Sequence, residues 1–136
     1  MSAGYLLDSH VMLWLALEDR RLSGSLTDIL GVRSTPLFVS TAGIAELCIK
    51  ASLGKLQLPF TPGETAEAGF SRLLGGFGAA PLDVTLAHGA RLRDLPMHHR
   101  DPFDRLMIAQ AMVEDLTLVT HDRMFARYDG LAVLWA

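Results

Sequence analysis

Gly4-Tyr5-Leu6-Leu7-Asp8-Ser9-His10-Val11-Met12-Leu13-Trp14-Leu15-Ala16-Leu17-Glu18 runs from a short apolar segment, through one acidic residue, into a stretch carrying Val11, Leu13, Trp14, Leu15 and Leu17. Gly4 to Leu7 reads as a buried strand and His10 to Glu18 as a packed helix. Asp19-Arg20-Arg21 breaks that helix, and the alternation then recurs. Ser23 is an N-cap for a second helix ending near Gly31, and Leu37 to Ser40 is the next strand. Ile44 to Leu53 reads as a helix closed by Gly54. Glu64 to Leu74 is helical, Gly75 to Gly78 is a loop, Ala80 to Val84 is a strand and Thr85 to Leu95 is a helix. Pro96 to Asp101 forms a basic, histidine-bearing loop. Phe103 to Glu114 is an apolar helix, Leu116 to Thr120 a strand, Asp122 to Arg127 a short helix, and Leu131 to Trp135 a last strand. Strands alternating with helices predict an α/β domain whose parallel sheet is covered on both faces and joined by right-handed crossovers.

With 136 residues, and neither an internal repeat nor a linker, the chain reads as a single domain over 1–136. Half of its residues are apolar and a fifth are charged, which excludes a disordered tail acting by charge alone. The lone Cys48 rules out an internal disulfide, fits a reducing cytosol and reads as a structural thiol. Asp8 interrupts the first apolar run before it would serve as a signal peptide, and Ser34 to Ala45 falls short of the ~20 residues that cross a bilayer. These features predict a soluble, cytoplasmic protein with no membrane partner.

Net charge is −3, unfavourable for a nucleic-acid binder if spread evenly. It is not even. Arg91, Arg93, Arg100, Arg105 and the pair His98-His99 crowd the sequence around Asp101 and Asp104.

Asp8, Glu46, Asp104 and Asp122 each stand where a strand gives way to a turn or where a helix begins. Singly, each has a structural reading. Asp8 and Asp122 fit helix caps, Asp104 fits the first turn of a helix, and Glu46 has Lys50 as an i,i+4 partner. Asp101, with Pro102 behind it, reads as an N-cap alone. Such a Glu-to-Lys pair contributes only about 0.2–0.5 kcal/mol, too little to explain a carboxylate beside the apolar face of Ile49 and Leu53. Taken together, the four acids fall on one rim of the expected sheet, where they repel one another unless cations hold them. Three or four acids without His or Cys suit Mg²⁺ or Mn²⁺.

The chain resembles the PIN-domain ribonucleases, in detail the VapC-type toxins of bacterial toxin-antitoxin pairs. The resemblance is carried by Leu6-Leu7-Asp8-Ser9-His10, Leu13-Trp14-Leu15, Arg21-Leu22-Ser23, Ala45-Glu46-Leu47-Cys48-Ile49-Lys50, Gly54-Lys55-Leu56 and Leu58-Pro59. Its most specific part is His98-His99-Arg100-Asp101-Pro102-Phe103-Asp104-Arg105-Leu106-Met107-Ile108-Ala109-Gln110-Ala111, followed by Leu118-Val119-Thr120-His121-Asp122 and Phe125. It implies a three-layer α/β/α fold with strand order 3-2-1-4-5. It also implies a metal site of Asp8, Glu46, Asp104 and Asp122, with Ser9, Ser40 and Thr120 as polar neighbours. Arg105, His99 and Arg100 are then candidates for RNA contact or for supporting the acids. Serine replaces the usual threonine after Asp8, and Ala45 stands where tryptophan is common. The implied function is endoribonuclease action through a metal-activated water, with RNA as substrate, an antitoxin as partner and homodimers as the assembly.

Rival readings fare worse. An Asp-dependent phosphatase needs a second Asp where His10 stands, and a receiver-type domain needs an Asp after Val39-Ser40-Thr41. An RNA-binding module without turnover, or a PIN nuclease outside a toxin-antitoxin system, remains the alternative.

Overall fold

The computed structural model describes residues 3–17, 24, 28 and 34–136. Five strands, β1 (Tyr5–Leu7), β2 (Leu37–Ser40), β3 (Ala79–Leu82), β4 (Thr117–Thr120) and β5 (Val133–Trp135), form one sheet in the order β3-β2-β1-β4-β5. All neighbours are parallel. Among the described residues the helices are α1 (Ser9–Leu17), α2 (Thr41–Ser52), α3 (Ala66–Gly76), α4 (Leu86–Arg91) and α5 (Pro102–Val113), with 3-10 turns at Leu92–Asp94 and Arg123–Arg127. The helix expected from Ser23 to Gly31, and the break at Asp19-Arg20-Arg21, lie outside the described residues, Gly24 and Asp28 apart.

Alternation along the short strands explains the three layers. Leu7, Val39 and Val119 point to one face and join Val11, Met12 and Trp14 of α1, Leu47 of α2 and Phe70 and Leu74 of α3. Leu6 and Leu118 point to the other, with Leu95, Met107, Ile108, Ala111, Phe125 and Tyr128. Strands buried on both sides have no polar face to display, hence their nearly unbroken apolar sequence.

Several boundaries move for local reasons. Thr85 accepts from the His88 N–H while His88 Nδ1 accepts from the Thr85 N–H, so a capping box starts α4, which ends at Arg91 and continues only as a 3-10 turn. At the other boundary, α2 begins at Thr41 because the Ser40 hydroxyl accepts from the Ala42 N–H, and it stops before Gly54, whose φ of 73° favours glycine. Gly43 of α2 brings that helix close to α1: a Cβ there would lie 3.3 Å from the Cβ of Ser9. No described helix is long and apolar enough to cross a membrane. Cys48 is half-buried and unpaired in any disulfide.

Candidate metal centre

Register places the chemistry at the C-terminal edge of the sheet. Leu7 pairs with Val39 on one side and Val119 on the other, so Asp8 emerges between Ser40 and Thr120. β1 is therefore the switch point, where crossovers leave in opposite directions and open a crevice.

The Asp8 carboxylate is buried, and it does not serve as a cap for α1. Its Oδ2 accepts a hydrogen bond from the Thr120 hydroxyl at 2.8 Å, and Ser9 Oγ stands 3.4 Å from Oδ1. Ser9 Oγ also lies 3.2 Å from Glu46 Oε1, making it a bridge between two buried acids. Glu46 keeps the i,i+4 contact, with Lys50 Nζ 3.5 Å from Oε2. Asp122 caps the turn Arg123–Arg127 through the Met124 N–H at 3.0 Å, and its own N–H donates to Thr120 Oγ1 at 3.1 Å. Thr120 thus touches both Asp8 and Asp122.

Asp104, in the first turn of α5, is the common member of two ligand groups. Glu46, Asp101 and Asp104 offer donor atoms within 4.8 Å of one another, and so do His99, Asp104 and Asp122. The Asp104 carboxyl is pushed up from 3.8 to about 7, first by burial and then by the negative charge of Asp101, Asp8, Glu46 and Asp122. Concentrated carboxylate charge that holds back a proton is what a hard divalent cation would relieve, and Glu46, Asp101 and Asp104 are an oxygen-only donor set. The residues present fit such an ion.

One member of these groups, Asp101, was set aside by the sequence reading as a cap alone. Asp101 is the N-cap it was expected to be, accepting from the Phe103 N–H at 2.8 Å, yet its charge also faces Asp104. The i,i+3 spacing of Asp101 and Asp104 was the available signal, since it sets both on one helix face. His99, expected either along an RNA path or in support of the acids, is buried, with its ring against those of Phe125 and Tyr128 and its Nε2 3.3 Å from Asp122 Oδ2. Arg100 is exposed. The Arg105 guanidinium is taken up by main-chain carbonyls, with Nη1 on Pro96 and Nη2 on Leu92 and Leu95 at 2.8, 3.2 and 3.4 Å. Ser40 accepts from the Ala42 N–H at the start of α2. Of the basic residues that flank the acids in sequence, Arg91 sits elsewhere, lining a depression with Asp115, Asp129 and Gly130 near the opposite rim.

A doubly wound parallel domain with carboxylates gathered at its switch point defines a class of α/β proteins that work through an acidic centre. Residues 5–131 match the family model of the PIN domain, and the chain belongs to that family. PIN domains are nucleases, so the cluster is a candidate nuclease centre. Solved structures share the fold, among them three complexes with DNA. The VapBC2 complex of Rickettsia felis bound to a promoter DNA fragment contains a chain with TM-score 0.71 and 17% identity, covering 96% of this chain and 97% of that one. DNA-bound VapBC of Salmonella typhimurium gives TM-score 0.66 and 15% identity, with 97% of each chain covered. FitAB bound to an IR36 DNA fragment gives 0.59 and 17%, covering 96% of this chain and 94% of that one. A comparison with curated proteins gives no match.

Proposed function

We propose that this chain is a Mg²⁺- or Mn²⁺-dependent endoribonuclease acting as the toxin of a toxin-antitoxin pair. The observation that carries the reading is Asp104, whose carboxylate offers donor atoms close to those of Glu46 and Asp101 and is pushed to about 7 among four other carboxylates. In this reading Asp8, Glu46, Asp104 and Asp122 hold the metal, and Asp101 adds charge to it. A divalent cation bound there supplies a water of lowered pKa and charge against the scissile phosphate. Ser9 and Thr120 orient the acids by hydrogen bonding. Arg100, exposed beside the N-cap Asp101 at the end of the basic loop, meets RNA phosphates. Hydrolysis leaves 5′-phosphate and 3′-hydroxyl ends, without a covalent enzyme intermediate.

The VapBC and FitAB complexes support an antitoxin partner, the resemblance adds homodimers, and the lone Cys48 favours a cytoplasmic setting. RNA cleavage by the wild type with Mg²⁺ or Mn²⁺, with chelator, and by Asp8→Asn tests the nuclease reading. Activity is expected only in the first case, and a fully active Asp8→Asn would refute it. Growth arrest on expression, relieved by a co-expressed antitoxin, tests the toxin reading.

A further inference from the structure

We infer that His99 is a positioning residue for Asp122, held as the Nε2–H tautomer by the hydroxyl of Tyr128. The inference rests on the reading above in that Asp122 serves the metal site. Three contacts fix the polarity of the chain. The His99 backbone N–H donates to the Tyr128 hydroxyl oxygen at 3.0 Å, and His99 Nδ1 lies 3.0 Å from the same oxygen. His99 Nε2 lies 3.3 Å from Asp122 Oδ2.

The hydroxyl already accepts from a backbone N–H, so its own proton is free to go to Nδ1. Nδ1 is then an acceptor, the ring proton sits on Nε2, and Nε2–H donates to Asp122. The opposite tautomer fails twice. It leaves the hydroxyl proton of buried Tyr128 without an acceptor, and it turns the Nε2 lone pair toward a carboxylate oxygen. Phe125 and Tyr128, with ring centroids 4.5 and 5.5 Å from that of His99, keep the imidazole from rotating away.

Asp122 is thereby gripped at both oxygens, Oδ1 by the Met124 N–H and Oδ2 by His99. This side chain is otherwise 39% exposed. Although His99 has donor atoms near Asp104 and Asp122, it acts on a cation through Asp122 and is not itself a ligand.

The test begins with the wild type, whose ring tautomer is read by long-range proton-nitrogen correlation NMR at about pH 8. Nε2–H is expected, and Nδ1–H overturns the inference. Calorimetric titration with Mn²⁺ then compares His99→Leu, which removes the donor, with His99→Gln, whose amide restores one at similar reach. His99→Leu is expected to weaken Mn²⁺ binding about tenfold or more, and His99→Gln to recover most of it. Equal loss in both variants overturns the positioning role. Tyr128→Phe keeps the ring stack and is expected to shift the tautomer toward Nδ1–H. If the wild type takes up no Mn²⁺, the metal reading fails by itself, and the tautomer still decides the hydrogen-bond chain, Nε2–H upholding it and Nδ1–H overturning it.

Discussion

Thr120 Oγ1 and Asp8 Oδ2 lie 2.8 Å apart, although 112 residues separate them in the chain. The same hydroxyl oxygen accepts from the Asp122 N–H, so one fully buried threonine ties the first acid to the last. Thr120→Val keeps the shape and removes both bonds, leaving a buried carboxylate oxygen and an N–H short of partners. Stability is expected to fall by about 1–3 kcal/mol, measured by urea unfolding, with Thr120→Ser close to wild type. Equal stability in all three would mean that the bond contributes nothing.

The acid-base behaviour of Asp104 gives a signed prediction. Its carboxyl is raised to about 7 in the fold against 3.8 for the ordinary group, so between those values the native state keeps a proton that the unfolded chain has released. The metal-free protein therefore has this contribution in full below about pH 4 and loses it as the pH rises through about 7. Partial exposure of Asp104 moderates the size. Asp104→Asn is expected to flatten the curve and to be more stable than wild type near pH 8 without metal. At about a hundredfold excess over its Kd, Mg²⁺ should stabilise the wild type by about 2.7 kcal/mol and the variant much less. Thermal melts across pH, with and without Mg²⁺, read both effects; parallel curves for the two proteins would contradict the assignment.

Asp101 carries two duties that substitution can separate. Asn caps a helix as well as Asp does, whereas Ala does not. Asp101→Asn is expected to leave the melting temperature nearly unchanged, and Asp101→Ala to cost about 1 kcal/mol. Both should weaken Mn²⁺ binding, because both remove the charge facing Asp104. A wild-type Mn²⁺ affinity in Asp101→Asn would return this residue to capping alone.

Arg105 and Arg100 should part company in the same way. Arg105→Ala frees the carbonyls of Pro96, Leu92 and Leu95, with an expected loss of about 1–2 kcal/mol that lysine does not restore, since its compact ammonium lacks the fork. Arg100→Ala is expected to leave stability within about 0.5 kcal/mol and to weaken RNA binding by the catalytically silent Asp8→Asn protein, lowering the salt slope by about 1. Binding measured at two salt concentrations would show the opposite pattern if Arg105 were the phosphate contact.

Much of the fold was legible because both faces of the sheet's centre are buried, so β1, β2 and β4 announced themselves as apolar runs ended by a polar residue. Strand order depended on the resemblance; nothing in the local sequence says that β1 pairs with β4. The start of α4 was legible from Thr85, but its early end was not, because the residues after Arg91 keep helical composition while adopting a tighter turn. Asp8 and Asp104 stood out by position. Asp101 did not, since a satisfied cap gave it a sufficient explanation. The place of His99 depends on Phe125 and Tyr128, which reach it from a distant turn through contacts that no local pattern encodes.

The placing of β1 at the centre of the sheet sets a clock on the nuclease. Asp8 is synthesised early and must wait for β4 to take its place beside β1 before Thr120 and Asp122 arrive. A growing chain has no complete acidic cluster until β4 has been made and has paired with β1. The same topology that gathers the acids also postpones their assembly until synthesis has passed β4.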